Sequence, residues 1–260
     1  MSRLLNRRTI LAAAAVSPLA YTVGRTRVVA QSEDVEALLS RAAATMAALD
    51  SFHFEMETIE GRSTVLDNLE VNKVVGDVLR PDSFQATITA RIAVVNVDVD
   101  VVSIGGSVWV TDPIQGGWRQ IADGSAGQAG PDSFTTLINP DQLFLKALSL
   151  IEDPMIDGTE RIGDTDTTVV TGSFQPSRLS ELATPEAETE EVEQGEEISP
   201  DSLLSTEPVY LTAWIDADGH VLLLEEEGPL TESESSDVIR AMEFTAFNEP
   251  VEITPPDTTE

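Results

Sequence analysis

His53 and His220 are the only imidazoles among the 260 residues, and there is no cysteine. A thiol nucleophile, a thiolate metal site and a histidine metal cluster are therefore all out of reach. No G-x-S-x-G elbow and no phosphate-binding glycine loop occurs. His53 alternates with Phe52 and Phe54 and stands beside Glu55 and Glu57. That spacing puts it on the wet face of a strand, as a surface histidine rather than a general base. Asp216-Ala217-Asp218-Gly219 opens like a calcium loop, and a tight hairpin turn accounts for it. Carboxylates are so common that no pair stands out. The expectation is a protein that is not an enzyme, with no catalytic residues, no metal and no cofactor.

The chain carries 46 acidic and 15 basic residues. Five of the basic ones (Arg3, Arg7, Arg8, Arg25 and Arg27) lie in the first thirty residues, which hold no acid, so the remainder has 10 against 46, a net of −36. Charge of that sign repels phosphate backbones and anionic surfaces over a Debye length, and nucleic acid is not an expected partner.

Residues 1–30 read as an export signal. A basic start is followed by an apolar run from Thr9 to Ala20, and Val28-Val29-Ala30 suits a signal-peptidase cut before Gln31. The run is short for a membrane span. Arg7-Arg8-Thr9-Ile10-Leu11 fits a twin-arginine signal, and an ordinary secretory signal is the alternative. Either places the protein outside the cytoplasm, in the cell envelope or secreted. With no lipobox cysteine, no lipid anchor is expected.

These termini frame a single domain over 31–253. Ser32 caps a predicted helix running to about Leu49, with Leu38, Leu39, Ala42 and Met46 on one face. Period-two strands follow. Phe52, Phe54 and Met56 alternate with polar residues, as do Phe84, Ala86 and Ile88, and Val95, Val97, Val99 and Val101 alternate with Asn96, Asp98 and Asp100. One apolar and one wet face per strand is the mark of an antiparallel sheet covered on a single side. A second helix is expected from Asn139-Pro140-Asp141, with Leu143, Phe144, Ala147, Leu148 and Ile151 as its stripe and Leu145 and Leu150 widening it. Further strands are expected near Arg161, over 167–173, 208–216, 220–227 and 238–247. Residues 180–207 hold ten acids and no base, and read as a flexible insertion. The tail over 254–260 is expected to be disordered. The fold class is α+β, a curved antiparallel sheet with helices packed on its concave face. About ten strands with one apolar face must curl, and two helices cover only part of such a face. The uncovered part needs other side chains or a ligand.

Several segments, in order, resemble a known family. They are Leu49-Asp50-Ser51-Phe52-His53-Phe54, Gly76 to Asp82, Val108-Trp109-Val110-Thr111-Asp112-Pro113 with Trp118, Ile138-Asn139-Pro140, Pro208 to Asp216, and Phe247 to Ile253. Together they are similar to the LppX/LprG family of mycobacterial-type envelope lipoproteins. The resemblance implies a half-open β-barrel like that of the lipoprotein chaperone LolA. It also implies a carrier that holds acyl chains of a lipid or glycolipid in an apolar cavity and moves them across the envelope. Transient membrane contact and an envelope transporter are the further partners it implies. Family members carry a lipobox cysteine, and this chain departs from them there.

Candidate cavity residues are those on the apolar strand faces: Phe54, Met56, Phe84, Ile88, Val95, Val97, Val99 and Val101, with Leu145 and Leu148 from the second helix. Each lines a cavity or belongs to a packed core. Trp109, Trp118 and Trp214 line it too or lock strands, and the turn residues around the first two favour locking. The alternative function is an envelope-sensing or protein-interaction module on the same scaffold, with the acidic 180–207 segment as its contact.

Overall fold

A computed structural model describes residues 35–65, 69–92, 94–113, 116–121, 144–182 and 204–257. The expected export signal, residues 183–203 of the acidic insertion, the last three residues of the tail, and the expected cap Asn139-Pro140-Asp141 lie outside the described residues.

Helix α1 spans Val35–Ala47, and Leu38, Leu39, Ala42 and Met46 form its buried stripe. Its C-terminal carbonyls are held from outside the helix. Arg80 Nη1 donates to Met46 O at 2.8 Å and also to Leu49 O. A cation at that end complements the helix dipole.

The strands are β1 Ser51–Glu60, β2 Ser63–Val65, β3 Leu69–Leu79, β4 Ser83–Ile92, β5 Val95–Ile104, β6 Ser107–Thr111 and β7 Trp118–Ile121. A short helix α2, Phe144–Ala147, runs into the 3-10 turn Leu148–Leu150. Then come β8 Glu152–Ile162, β9 Thr165–Phe174, a second 3-10 segment Pro176–Leu182, β10 Val209–Ile215, β11 Val221–Glu227 and β12 Ile239–Thr245.

All twelve strands form one antiparallel sheet in the order β7-β6-β5-β4-β3-β1-β12-β11-β10-β9-β8, with β2 paired to β3. The sheet is open and unclosed, with β7 and β8 at its two ends. The order explains itself as two meanders, β3 to β7 and β8 to β12, joined where β1 pairs with β3 on one side and β12 on the other. Asp216-Ala217-Asp218-Gly219 is a hairpin turn between β10 and β11, with Gly219 at φ 92°. A Cβ there would lie 2.7 Å from Thr45 Oγ1, so α1 seats directly on this turn. Thr45 Oγ1 donates to Asp218 O at 3.1 Å.

One end of the acidic insertion is docked rather than free. Leu204 bridges Thr231, Ser205 is buried, Ser205 N donates to Leu230 O, and Ser177 N donates to Ser205 O. The insertion therefore returns to the body of the protein four residues before β10, which the charge run alone does not announce.

Candidate functional site

Cross-strand register builds the inner face from rows of opposed residues, because directly paired residues of an antiparallel sheet point the same way. One row runs from Val99 and Ile88 through Val74 and Met56 to Met242, then on through Leu224 and Ala213 to Val170. It crosses eight strands without a polar residue. The next row runs through Val110, Val101, Ala86, Gly76, Phe54 and Phe244. Gly76 sits there because a Cβ would meet Gln85 O at 2.3 Å and Ala86 Cβ at 2.8 Å. Phe54 stacks on Phe84 at 6.0 Å between ring centroids, and Phe52 meets Phe244 edge-on at 5.9 Å.

The cover over this face comes from α1, α2 with its 3-10 turn, and Leu179 of the Pro176–Leu182 segment, all part of one apolar cluster with the strands. Leu145 and Leu148 are buried in that cover. Phe54, Met56, Phe84, Ile88, Val99 and Val101 are buried beneath it.

Two of the expected cavity residues depart from that group. Val97 is only partly buried. Val95 is 58 % exposed, and its neighbour Val94 in the turn is 90 % exposed. Val95 is therefore not buried with the rest of the group. Its phase along β5 is the inward one, opposite Ile92, but the cover built by the described residues ends before it. The apolar face thus runs out to water at the β4–β5 tip.

The tryptophans stand on the other face. Trp109 and Trp118 share a face with Val102 and Thr111 by register, and Trp214 lies opposite Val169 and Leu223. Trp214 Nε1 donates to Glu160 Oε2 at 3.0 Å. They lock strands. His53 is on this outer face too, with Nδ1 2.7 Å from Asp77 Oδ1. Asp216, Asp218 and His220 cluster at the hairpin turn, but Asp216 spends both oxygens on that turn. Its Oδ1 accepts from the backbone N–H groups of Asp218 and His220, and its Oδ2 lies 3.0 Å from His220 Nδ1.

One group on the inner face escapes a reading for apolar alternation. Arg240 of β12 and Glu226 of β11 face each other in the row beyond Met242 and Leu224, and both are almost fully buried. Arg240 is tied to the Gly228–Val238 connection. Its Nη2 donates to Glu234 Oε2, its Nε to Ser63 Oγ at 3.2 Å, and its Nη1 to Gly228 O at 3.5 Å. Ser63 Oγ donates onward to Glu234 Oε1 at 2.9 Å, and the N–H groups of Leu230 and Thr231 close on Glu234 Oε2. Glu226 joins this network only through an ion pair with Arg240. Its Oε2 lies 3.6 Å from Arg240 Nη1, and neither carboxyl oxygen has a hydrogen-bond partner. Burial pushes its pKa up to about 8, against the pull of Arg240. Burial wins because Glu234 already matches the single cation, so a second anion would stand uncompensated out of water. The signal was present in the strand phase: Glu226 is in step with Leu224, and Arg240 with Met242 and Phe244.

Among solved structures, LprF from Mycobacterium bovis superposes with a TM-score of 0.57 at 14% identity, covering 86% of this chain and 98% of that one. Lipoprotein LppX from Mycobacterium tuberculosis gives 0.54 at 16% identity, covering 85% and 100%. These likenesses are of fold, and the open antiparallel sheet is what is shared. No curated protein matches the chain. Among the described residues no helix is long and apolar enough to cross a membrane. Residues 34–253, which include every element from α1 to β12, match the LppX_LprAFG lipoprotein family, and the chain belongs to that family.

Proposed function

We propose that the protein is an exported, non-enzymatic carrier that holds the acyl chains of a lipid or glycolipid against the inner face of its sheet and moves them across the cell envelope. The observation that carries this reading is the apolar inner face that continues beyond its cover, from buried Val101 and Val99 through partly buried Val97 to exposed Val95. A packed core ends where its cover ends; an apolar track that leads to water offers an entry for a chain. Each CH₂ withdrawn from water is worth about 0.8 kcal/mol, so a long acyl chain binds without a sharp polar motif. Transient contact with a membrane at the β4–β5 tip, and hand-over to an envelope transporter, complete the cycle.

Native mass spectrometry of protein purified from its own membranes tests the reading, together with uptake of a fluorescent fatty acid. Retained lipid and saturable uptake are expected. A lipid-free protein with no uptake would exclude it. The Val99→Trp variant fills the track. It should cut uptake severalfold while stability changes by less than about 1 kcal/mol, whereas overpacking a filled core costs about 1–3 kcal/mol.

A further inference from the structure

We propose that Glu226 is a polar anchor on the inner face, donating its carboxyl hydrogen to an oxygen of the bound lipid, the carbonyl of an acyl ester. The inference rests on the carrier reading and adds to it a residue that recognises the acyl carbonyl.

Three observations carry it. Glu226 points inward from the sheet, one step along β11 from Leu224 and so beside the apolar row of Met242, Leu224 and Ala213. Both of its carboxyl oxygens are buried and without a hydrogen-bond partner. The nearest cation reaches it only as an ion pair: Arg240 Nη1 lies 3.6 Å from Glu226 Oε2, while the hydrogen bonds of Arg240 go to Glu234, Ser63 and the Gly228 carbonyl. A buried, unmade hydrogen bond is expensive, and a side chain beside an apolar row keeps that cost only where something meets it. The raised pKa fits the same assignment, because a carboxyl that stays protonated at neutral pH is a hydrogen-bond donor. A donor in an apolar setting selects an acceptor. An alkyl chain has none, while an ester carbonyl has one and brings no charge of its own. The connection from Gly228 to Val238 is pinned to Arg240 by Glu234 and to Leu204 by Thr231, and its lifting would admit an ester.

The test compares two neutral probes of equal carbon number, methyl palmitate and heptadecane, on the full protein. The wild type should bind the ester at least about tenfold more tightly, the worth of one buried hydrogen bond. Glu226→Leu should lose that preference and keep heptadecane binding. Glu226→Gln, which retains a donor and an acceptor, should keep most of the preference. A Glu226→Leu protein with the wild-type ester preference, or with equal losses for both probes, would overturn the anchor. Should Glu226→Leu fail to fold, the infrared band of the protonated carboxyl in the wild type decides. That band, missing in Glu226→Gln, should shift on adding methyl palmitate and not on adding heptadecane; an unmoved band overturns the anchor. Failure of the carrier reading looks different, since the wild type would then take up neither probe.

Discussion

Glu226 is a glutamate kept neutral by its surroundings, and that has a measurable consequence for stability. In the unfolded chain the group ionises through its ordinary 4.5, and in the folded protein through about 8. Its contribution is therefore whole below pH 4.5 and is lost as pH rises through about 8, at up to roughly 1.4 kcal/mol per pH unit. Glu226→Gln removes the titration. Urea unfolding at several pH values should show the variant more stable than the wild type at pH 8, with the difference shrinking toward pH 4.5. Parallel profiles for the two proteins would mean that Glu226 is ionised and paired with Arg240 in the fold. Glu243, half-buried on the outer face beside Glu55, is also raised by burial first and by that neighbour second, and it contributes with the same sign.

At the scale of elements, close approach decides which substitutions hurt. Gly76 lets β3 lie flat against β4 in the row between Phe54 and Ala86. Gly76→Ala must displace the Gln85 carbonyl or the Ala86 side chain, and a cost of about 1–3 kcal/mol is expected as a lowered urea midpoint. Arg80 acts at the other kind of junction, between an element and its end. Its guanidinium caps α1 and lies 5.5 Å from the centre of the Phe52 ring. Arg80→Ala should cost about 1–2 kcal/mol and speed amide exchange in the last turn of α1 ahead of the strands. The elements themselves were legible in the sequence. The alternation of Val95, Val97, Val99 and Val101 reads directly as β5, and the stripe of Leu38, Leu39, Ala42 and Met46 reads as α1. Where the cover stops was not legible. The exposure of Val95 depends on how far α1 and α2 reach across the sheet, which is a property of tertiary packing and not of β5. The Glu226–Arg240 pair lay within reach of the same alternation rule, but a search for apolar residues passes over charges that keep the inward phase.

For the molecule as a whole, 46 acids against 15 bases set the electrostatics. Close pairs such as His53–Asp77, Lys73–Glu55 and Arg91–Glu70 relieve the outer face only locally. Most of the excess is unpaired by simple count, and self-repulsion opposes compactness. Raising sodium chloride from about 0.01 M to about 1 M shortens the Debye length from roughly 30 Å to 3 Å, so Tm should climb with salt. An equal osmolarity of a neutral sugar controls for solvent effects, and a flat salt response would show that the repulsion is already screened by pairing.

The place of β1 in the middle of the sheet also orders events in time. His53 pairs with Thr245 and Phe54 with Phe244, so a strand made early waits for the strand made last. As the chain leaves the ribosome, β3 to β7 and then β8 to β11 can zip as neighbouring hairpins, each closing a short loop. The seam between the two halves stays open until Ile239–Thr245 has emerged, and the long-range pairing there is the slow step of assembly. Until that moment the apolar rows of both halves stand in water with no continuous floor, and anything that captures this protein unfinished will meet it at that seam.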